Sequence, residues 1–132
     1  MKSTVLDSYA VLSFLFQEKG HEKVRDLFEK AAQVDRVLFI AAPNWAEVRY
    51  IVERKVGAAQ WREVRQKLLG LPLEIISADQ TLAESAGEMK VAKKMSLADC
   101  FAAALAQQKK AELYTGDPEF RVVGKDIKVV WL

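Results

Sequence analysis

Two rhythms of apolar residues alternate along this chain. Short apolar runs fall at Ser3 to Leu6, Val37 to Ala41, Leu73 to Ile76, Glu112 to Tyr114 and Ile127 to Trp131. They read as strands, and the unbroken Val37-Leu38-Phe39-Ile40-Ala41 is the mark of a strand covered on both faces. Between them apolar residues recur every three or four positions. Ala10 to Phe16 continues as a helix, and Glu22 to Val34 carries Val24, Leu27, Phe28, Ala31 and Ala32 on one face. Pro43-Asn44 opens a helix to about Val56, and another runs from about Ala58 to Leu69, stopping near Gly70. Asp79 opens a helix with Leu82, Ala83, Ala86 and Met89 on one face. Ser96 starts the last, Leu97 to about Lys109, so rich in alanine and apolar residues that it is expected to be buried. Strands alternating with helices, mostly in pairs, argue for an α/β domain: a parallel sheet with helices on both faces.

Length and composition narrow the class. A chain of 132 residues is one domain's worth, and 51% hydrophobic with 29% charged residues excludes disordered and fibrous proteins. No apolar run approaches a membrane span. Met1 to Leu6 meets Asp7 too early for a secretory signal, and the single cysteine has no partner, so a reducing cytoplasm is expected. Twenty basic residues against 18 acidic ones give a net charge of +2, too balanced to announce nucleic-acid binding. Cys100 opens the apolar run Cys100-Phe101-Ala102-Ala103-Ala104-Leu105-Ala106 and reads as a packing residue rather than a nucleophile. With one histidine, His21, and one cysteine, a zinc site is disfavoured.

The acids are more informative. Residues that follow the strands of a parallel sheet gather along one edge, where open α/β folds place their ligands. Asp7 follows the first strand, Glu47 lies in the helix after the second, Asp99 opens the buried helix, and Asp117 follows the fourth strand. Each has a structural alternative. Asp7 and Asp117-Pro118 suit helix N-caps, and Ser96-Leu97-Ala98-Asp99 and Asn44-Trp45-Ala46-Glu47 have capping-box spacing. Asp79 fits capping alone. Capping is satisfied equally by Ser, Thr or Asn, yet this edge carries an acid each time. Two carboxylates about 4 Å apart repel by about 4 kcal/mol at an effective dielectric near 20, so the set needs a cation or protons. All-oxygen ligands suit Mg²⁺ or Mn²⁺.

Val5-Leu6-Asp7-Ser8, the helix Leu97-Ala98-Asp99-Cys100-Phe101-Ala102-Ala103-Ala104-Leu105-Ala106 and Thr115-Gly116-Asp117-Pro118-Glu119-Phe120 resemble, in order, motifs of the PIN-domain nucleases. Glu47 falls where that family's second acid is expected. In length and layout the chain looks most like the VapC toxins of VapBC toxin–antitoxin pairs. The resemblance implies a single three-layer domain over residues 1–132, with five parallel strands and the third at an edge, away from the site. It implies an Mg²⁺- or Mn²⁺-dependent endoribonuclease, the toxin of a type II toxin–antitoxin system. Asp7, Glu47, Asp99 and Asp117 would be its catalytic and metal-binding acids. Ser8 and Thr115 match assisting polar positions, and Glu119 falls where some relatives carry a further acid. RNA is the implied substrate, with a homodimer and an inhibitory antitoxin as partners. One departure is Asn44-Trp45-Ala46 ahead of Glu47, where relatives often have Ser or Thr.

An acidic cleft repels RNA, so basic residues must hold its backbone, and Arg49, Lys93 and Lys94 are the nearest candidates. A non-catalytic PIN-fold module that binds RNA or a protein partner is the alternative. A phosphoacceptor receiver domain would want an acidic pair after the first strand, where Asp7 is followed by Ser8 and Tyr9. Trp45, Tyr50, Trp61 and Trp131 read as core aromatics before stacking or interface residues. Val48 and Ile51 beside Tyr50 suggest an apolar surface for a dimer contact.

Overall fold

A computed structural model describes residues 1–132. The elements in chain order are β1 (Thr4–Leu6), α1 (Ser8–Phe16), α2 (His21–Gln33), β2 (Leu38–Ala41), α3 (Ala42–Val56), α4 (Ala58–Leu69), β3 (Leu73–Ile76), α5 (Gln80–Ala92), α6 (Leu97–Lys109), β4 (Glu112–Thr115), a 3₁₀ turn (Pro118–Val123) and β5 (Val129–Trp131). All strands are parallel, in the order β3-β2-β1-β4-β5. Leu6 lies opposite Tyr114 and Val5 opposite Phe39, which fixes the register of the central three strands.

Side chains alternate across this sheet as the pleat requires. Val5, Ala41 and Leu113 face one core with α5, α6 and the 3₁₀ turn. Leu6, Leu38 and Ile40 face the other with α1 to α4. The division follows from the topology. The chain steps from β1 to β2 to β3 in one direction, then crosses back to β4 and β5. Right-handed crossovers put the helices of the two directions on opposite faces. The reversal leaves a switch point between β1 and β4, the place where open α/β sheets form a crevice at their carboxyl ends.

Packing against both the sheet and α5 is why α6 is so apolar: Cys100, Ala102, Ala103, Ala104, Leu105 and Ala106 are all buried. Alanine keeps the helix thin enough for close approach, so Cys100 is core. Trp61 is buried and meets half-buried Trp45 edge-on at 5.5 Å, while Tyr50 and Trp131 are exposed. Val48 corrects the expectation of an apolar surface: it is fully buried, because Asn44, Val48 and Val52 recur at four-residue spacing on the inward face of α3. At Gly20, φ is +87° and an added Cβ would lie 2.5 Å from that of Leu132, so both the turn and the packing require glycine.

Candidate metal centre

Of the acids, the switch point brings Asp99 and Asp117 together with Glu119, and Asp7 and Glu47 lie outside that close group. Asp7 ends β1 and caps α1, accepting the Ala10 N–H at 2.9 Å through one carboxylate oxygen. Its other oxygen accepts the Thr115 hydroxyl from the end of β4. That hydroxyl oxygen also accepts the Asp117 N–H at 3.0 Å, so Thr115 links the ends of the two central strands. Asp117 caps the 3₁₀ turn by accepting the Glu119 N–H at 2.9 Å. Ser8 donates its hydroxyl to Glu47 at 2.8 Å, which joins α1 to α3.

Asp99 departs from the capping box expected of Ser96-Leu97-Ala98-Asp99. The Ser96 hydroxyl does accept the Asp99 N–H, at 3.2 Å. The reciprocal bond is missing, because the Ser96 N–H goes to Glu119 at 3.2 Å instead. The Asp99 carboxylate is thereby left free of local work, and its buried Oδ2 has no partner. One carboxylate oxygen from each of Asp99, Asp117 and Glu119 lies within 4.8 Å of the others. None of the ion pairs in the protein involves these acids or Asp7 or Glu47.

The electrostatics follow. Burial pushes the Asp7 carboxyl up to about 7 against the bonds from Thr115 and Ala10, and the charges of Asp99 and Asp117 add to the rise. Asp99 is also raised to about 7, by burial first and then by the Asp117 charge. The Ser96 hydroxyl opposes the rise, and Glu119 and Glu47 add to it. A buried acceptor without a donor and a group of mutually repelling carboxylates are relieved either by a proton or by a cation. Every donor is oxygen, and the set therefore fits a hard divalent ion.

Asn44 does not cap α3. That helix starts from Ala41, with no side-chain cap, and Asn44 is fully buried. Its Nδ2 donates to the Ala98 carbonyl at 3.1 Å, tying α3 to the first turn of α6 one residue before Asp99. Sequence spacing alone had suggested a capping role, because it cannot show that these two helix starts meet. Asp79 caps α5 through the Leu82 N–H at 2.9 Å and sits after the edge strand β3, away from the switch point.

The basic candidates are arranged differently. Lys93 is the C-cap of α5 and lines a cleft with Gln107 near the end of α6 and Asp126 before β5, and Lys94 is exposed in the link to Ser96. Arg49 is exposed and paired with Glu53 on its own helix at 3.2 Å. Two residues along a helix are about 200° apart, so Arg49 and Glu47 leave α3 in different directions.

The family model for the PIN domain matches residues 4–126, and the chain belongs to that family. Solved structures share its fold. A toxin–antitoxin complex from Klebsiella pneumoniae is 22% identical, with 97% of this chain and 96% of that one aligned at a TM-score of 0.73. DNA-bound VapBC from Salmonella typhimurium is 16% identical, covering 98% of each chain at a TM-score of 0.76. VapC20 from Mycobacterium tuberculosis, described as a sarcin–ricin loop cleaving toxin, is 18% identical over 92% of this chain and 95% of that one, at a TM-score of 0.73. No curated protein sequence matches this chain. No helix is long and apolar enough to cross a membrane.

Proposed function

We propose that this chain is an endoribonuclease that hydrolyses RNA phosphodiester bonds with Mg²⁺ or Mn²⁺. We further propose that it is the toxin of a type II toxin–antitoxin pair, working in the cytoplasm as a homodimer. The observation that carries the nuclease reading is Asp99 Oδ2: buried, unpartnered and set among acids that no basic side chain neutralises. Family membership and the shared fold of VapC-type toxins support the rest.

Asp7, Asp99 and Asp117 are the ligands in this reading, with Glu119 on the open side of the group. When bound, a divalent ion supplies water activation and charge neutralisation at the scissile phosphate. Asp7 is held in one orientation by Ala10 and Thr115, so it offers its remaining lone pairs without rearrangement. Glu47, steadied by Ser8, completes the ligand set or orients the attacking water. No protein nucleophile is needed. Lys93 and Lys94, in the link that leads into α6, are the candidates for holding the RNA backbone, whereas Arg49, paired with Glu53 and directed away from Glu47, would meet RNA only outside the acid site. An antitoxin would silence the site by placing a cation of its own among the acids.

The test is RNA cleavage by purified protein with Mg²⁺ or Mn²⁺ against EDTA, beside Asp99→Asn prepared identically. Metal-dependent cutting that the variant loses supports the reading. Cutting that survives both EDTA and the substitution marks a contaminating ribonuclease. No cutting of any RNA, with no heat of metal binding by calorimetry, refutes the nuclease and favours a non-catalytic module that holds RNA or a protein.

A further inference from the structure

Tyr9 stands where the parts of the acid site meet. It follows Ser8, whose hydroxyl holds Glu47, and its ring lies against Gly116, between Thr115 and Asp117. The approach is so close that a Cβ on residue 116 would fall 2.2 Å from the ring. Gly116 has no left-handed φ to explain it, so the glycine serves the ring. Packing alone would bury an aromatic side chain, but Tyr9 is 39% exposed. Beside it opens a groove of about 380 Å³ lined by Tyr9, Leu12, Ser13, Glu18 and Lys19. The groove joins the aromatic ring, which touches Gly116 between Thr115 and Asp117, to one carboxylate and one ammonium past the end of α1.

We infer that this groove is a nucleobase subsite. The Tyr9 ring stacks on the base next to the scissile phosphate. Glu18 accepts from an exocyclic amino group of that base, and Lys19 meets the neighbouring phosphate. The chemistry matches each part: every base has a π-face, carboxylates accept from base amino groups, and ammonium groups pair with phosphate. The inference rests on the RNA reading of the acid site and adds a preference for adenine, cytosine or guanine over uracil. Aromatic stacking on a base corresponds to a factor of roughly 5 to 150 in affinity.

The experiment measures binding of labelled oligoadenylate, oligocytidylate and oligouridylate to the Asp99→Asn protein, which cannot cut them. Tyr9→Phe and Tyr9→Leu are then added in that background. Leucine fills the contact with Gly116 without an aromatic face, so the fold is kept and only stacking is lost. Tyr9→Phe should bind like the parent, and Tyr9→Leu should bind oligoadenylate roughly 5- to 150-fold more weakly. Oligouridylate should bind worse than the other two, and Glu18→Ala should erase that difference. Equal binding by Tyr9→Leu and the parent overturns the subsite. So does a change of oligomeric state at unchanged RNA affinity, which would make the groove an interface between copies. RNA held through Tyr9 by a wild-type protein that never cuts it would sink the nuclease and leave the subsite standing. Cutting with a KM indifferent to Tyr9→Leu would do the reverse.

Discussion

Replacing Asp7 with Asn should stabilise the metal-free protein at neutral pH while removing its activity. Asp7 is 1% exposed and its carboxyl is raised from 3.8 to about 7, chiefly by burial. The folded chain therefore keeps a proton on Asp7 up to about pH 7, whereas the unfolded chain releases it near 3.8. Between those values the unfolded state binds fewer protons, so stability falls as pH rises across the window. The penalty is absent below about 3.8 and complete above about 7. A shift of about three units corresponds to about 4 kcal/mol. Asn has the same shape, keeps the acceptor for the Ala10 N–H, gives up only the acceptor for the Thr115 hydroxyl, and carries no charge to desolvate. Thermal melts in EDTA should show Asp7→Asn melting on the order of 10 °C above wild type near pH 8, with the two converging near pH 4. Added Mg²⁺ should raise the wild-type melting temperature by binding the folded state, and the variant's much less. If the variant melts lower at pH 8, or if the gap is the same at every pH, Asp7 is a structural cap and the reasoning fails.

Other expectations follow from the same contacts. Glu119→Gln keeps an acceptor for the Ser96 N–H and removes one charge, so Mg²⁺ affinity by calorimetry should fall while the melting temperature of metal-free protein holds or rises. A drop in melting temperature with unchanged affinity would make Glu119 a strut. Trp61→Ala empties a buried site against Trp45 and should cost about 3–5 kcal/mol in urea unfolding, whereas a cost under about 1 kcal/mol would show that the α3–α4 pair collapses to fill it. Cys100 is fully buried, and burial raises its thiol above the usual value of 9.0. A thiol reagent should therefore label it only after denaturant is added, and fast labelling of native protein would contradict the packing of α6.

Most of the fold was legible because its signals are local. The run Leu38 to Ala41, the thin helix at Leu97 to Lys109 and the stop at Gly70 are each fixed by a few neighbouring side chains. The strand order was less so. Periodicity gives alternation, and only the resemblance to a family put β3 at the edge and Asp79 away from the site. The small errors share one cause. Val48 and Asn44 look surface-bound or capping when α3 is considered alone, but both point at partners more than 50 residues away or across the core. Ile127 was expected to open the last strand, whereas it is buried beneath the 3₁₀ turn and pairing begins at Val129.

At the site itself, capping and metal binding are rival readings of each acid, and the contacts leave room for both in one residue. Asp117 caps the 3₁₀ turn with one oxygen and still belongs to the cluster, and Asp7 caps α1 while the Asp99 and Asp117 charges act on it, since a carboxylate has lone pairs for more than one partner. The sequence could therefore not separate the roles, because the same residue types at the same spacing serve either. What separates them is Asp99, and its freedom depends on a distant choice. Glu119, from beyond β4, takes the N–H that a capping box would have given to Asp99. The two residues are 20 positions apart, and no helical rule connects them. An acid excused from capping by another acid, then buried without a partner, is an expensive arrangement for a fold to keep. A cation that satisfies Asp99, Asp117 and Glu119 together removes that cost, which is why the geometry argues for a metal more strongly than the count of acids did.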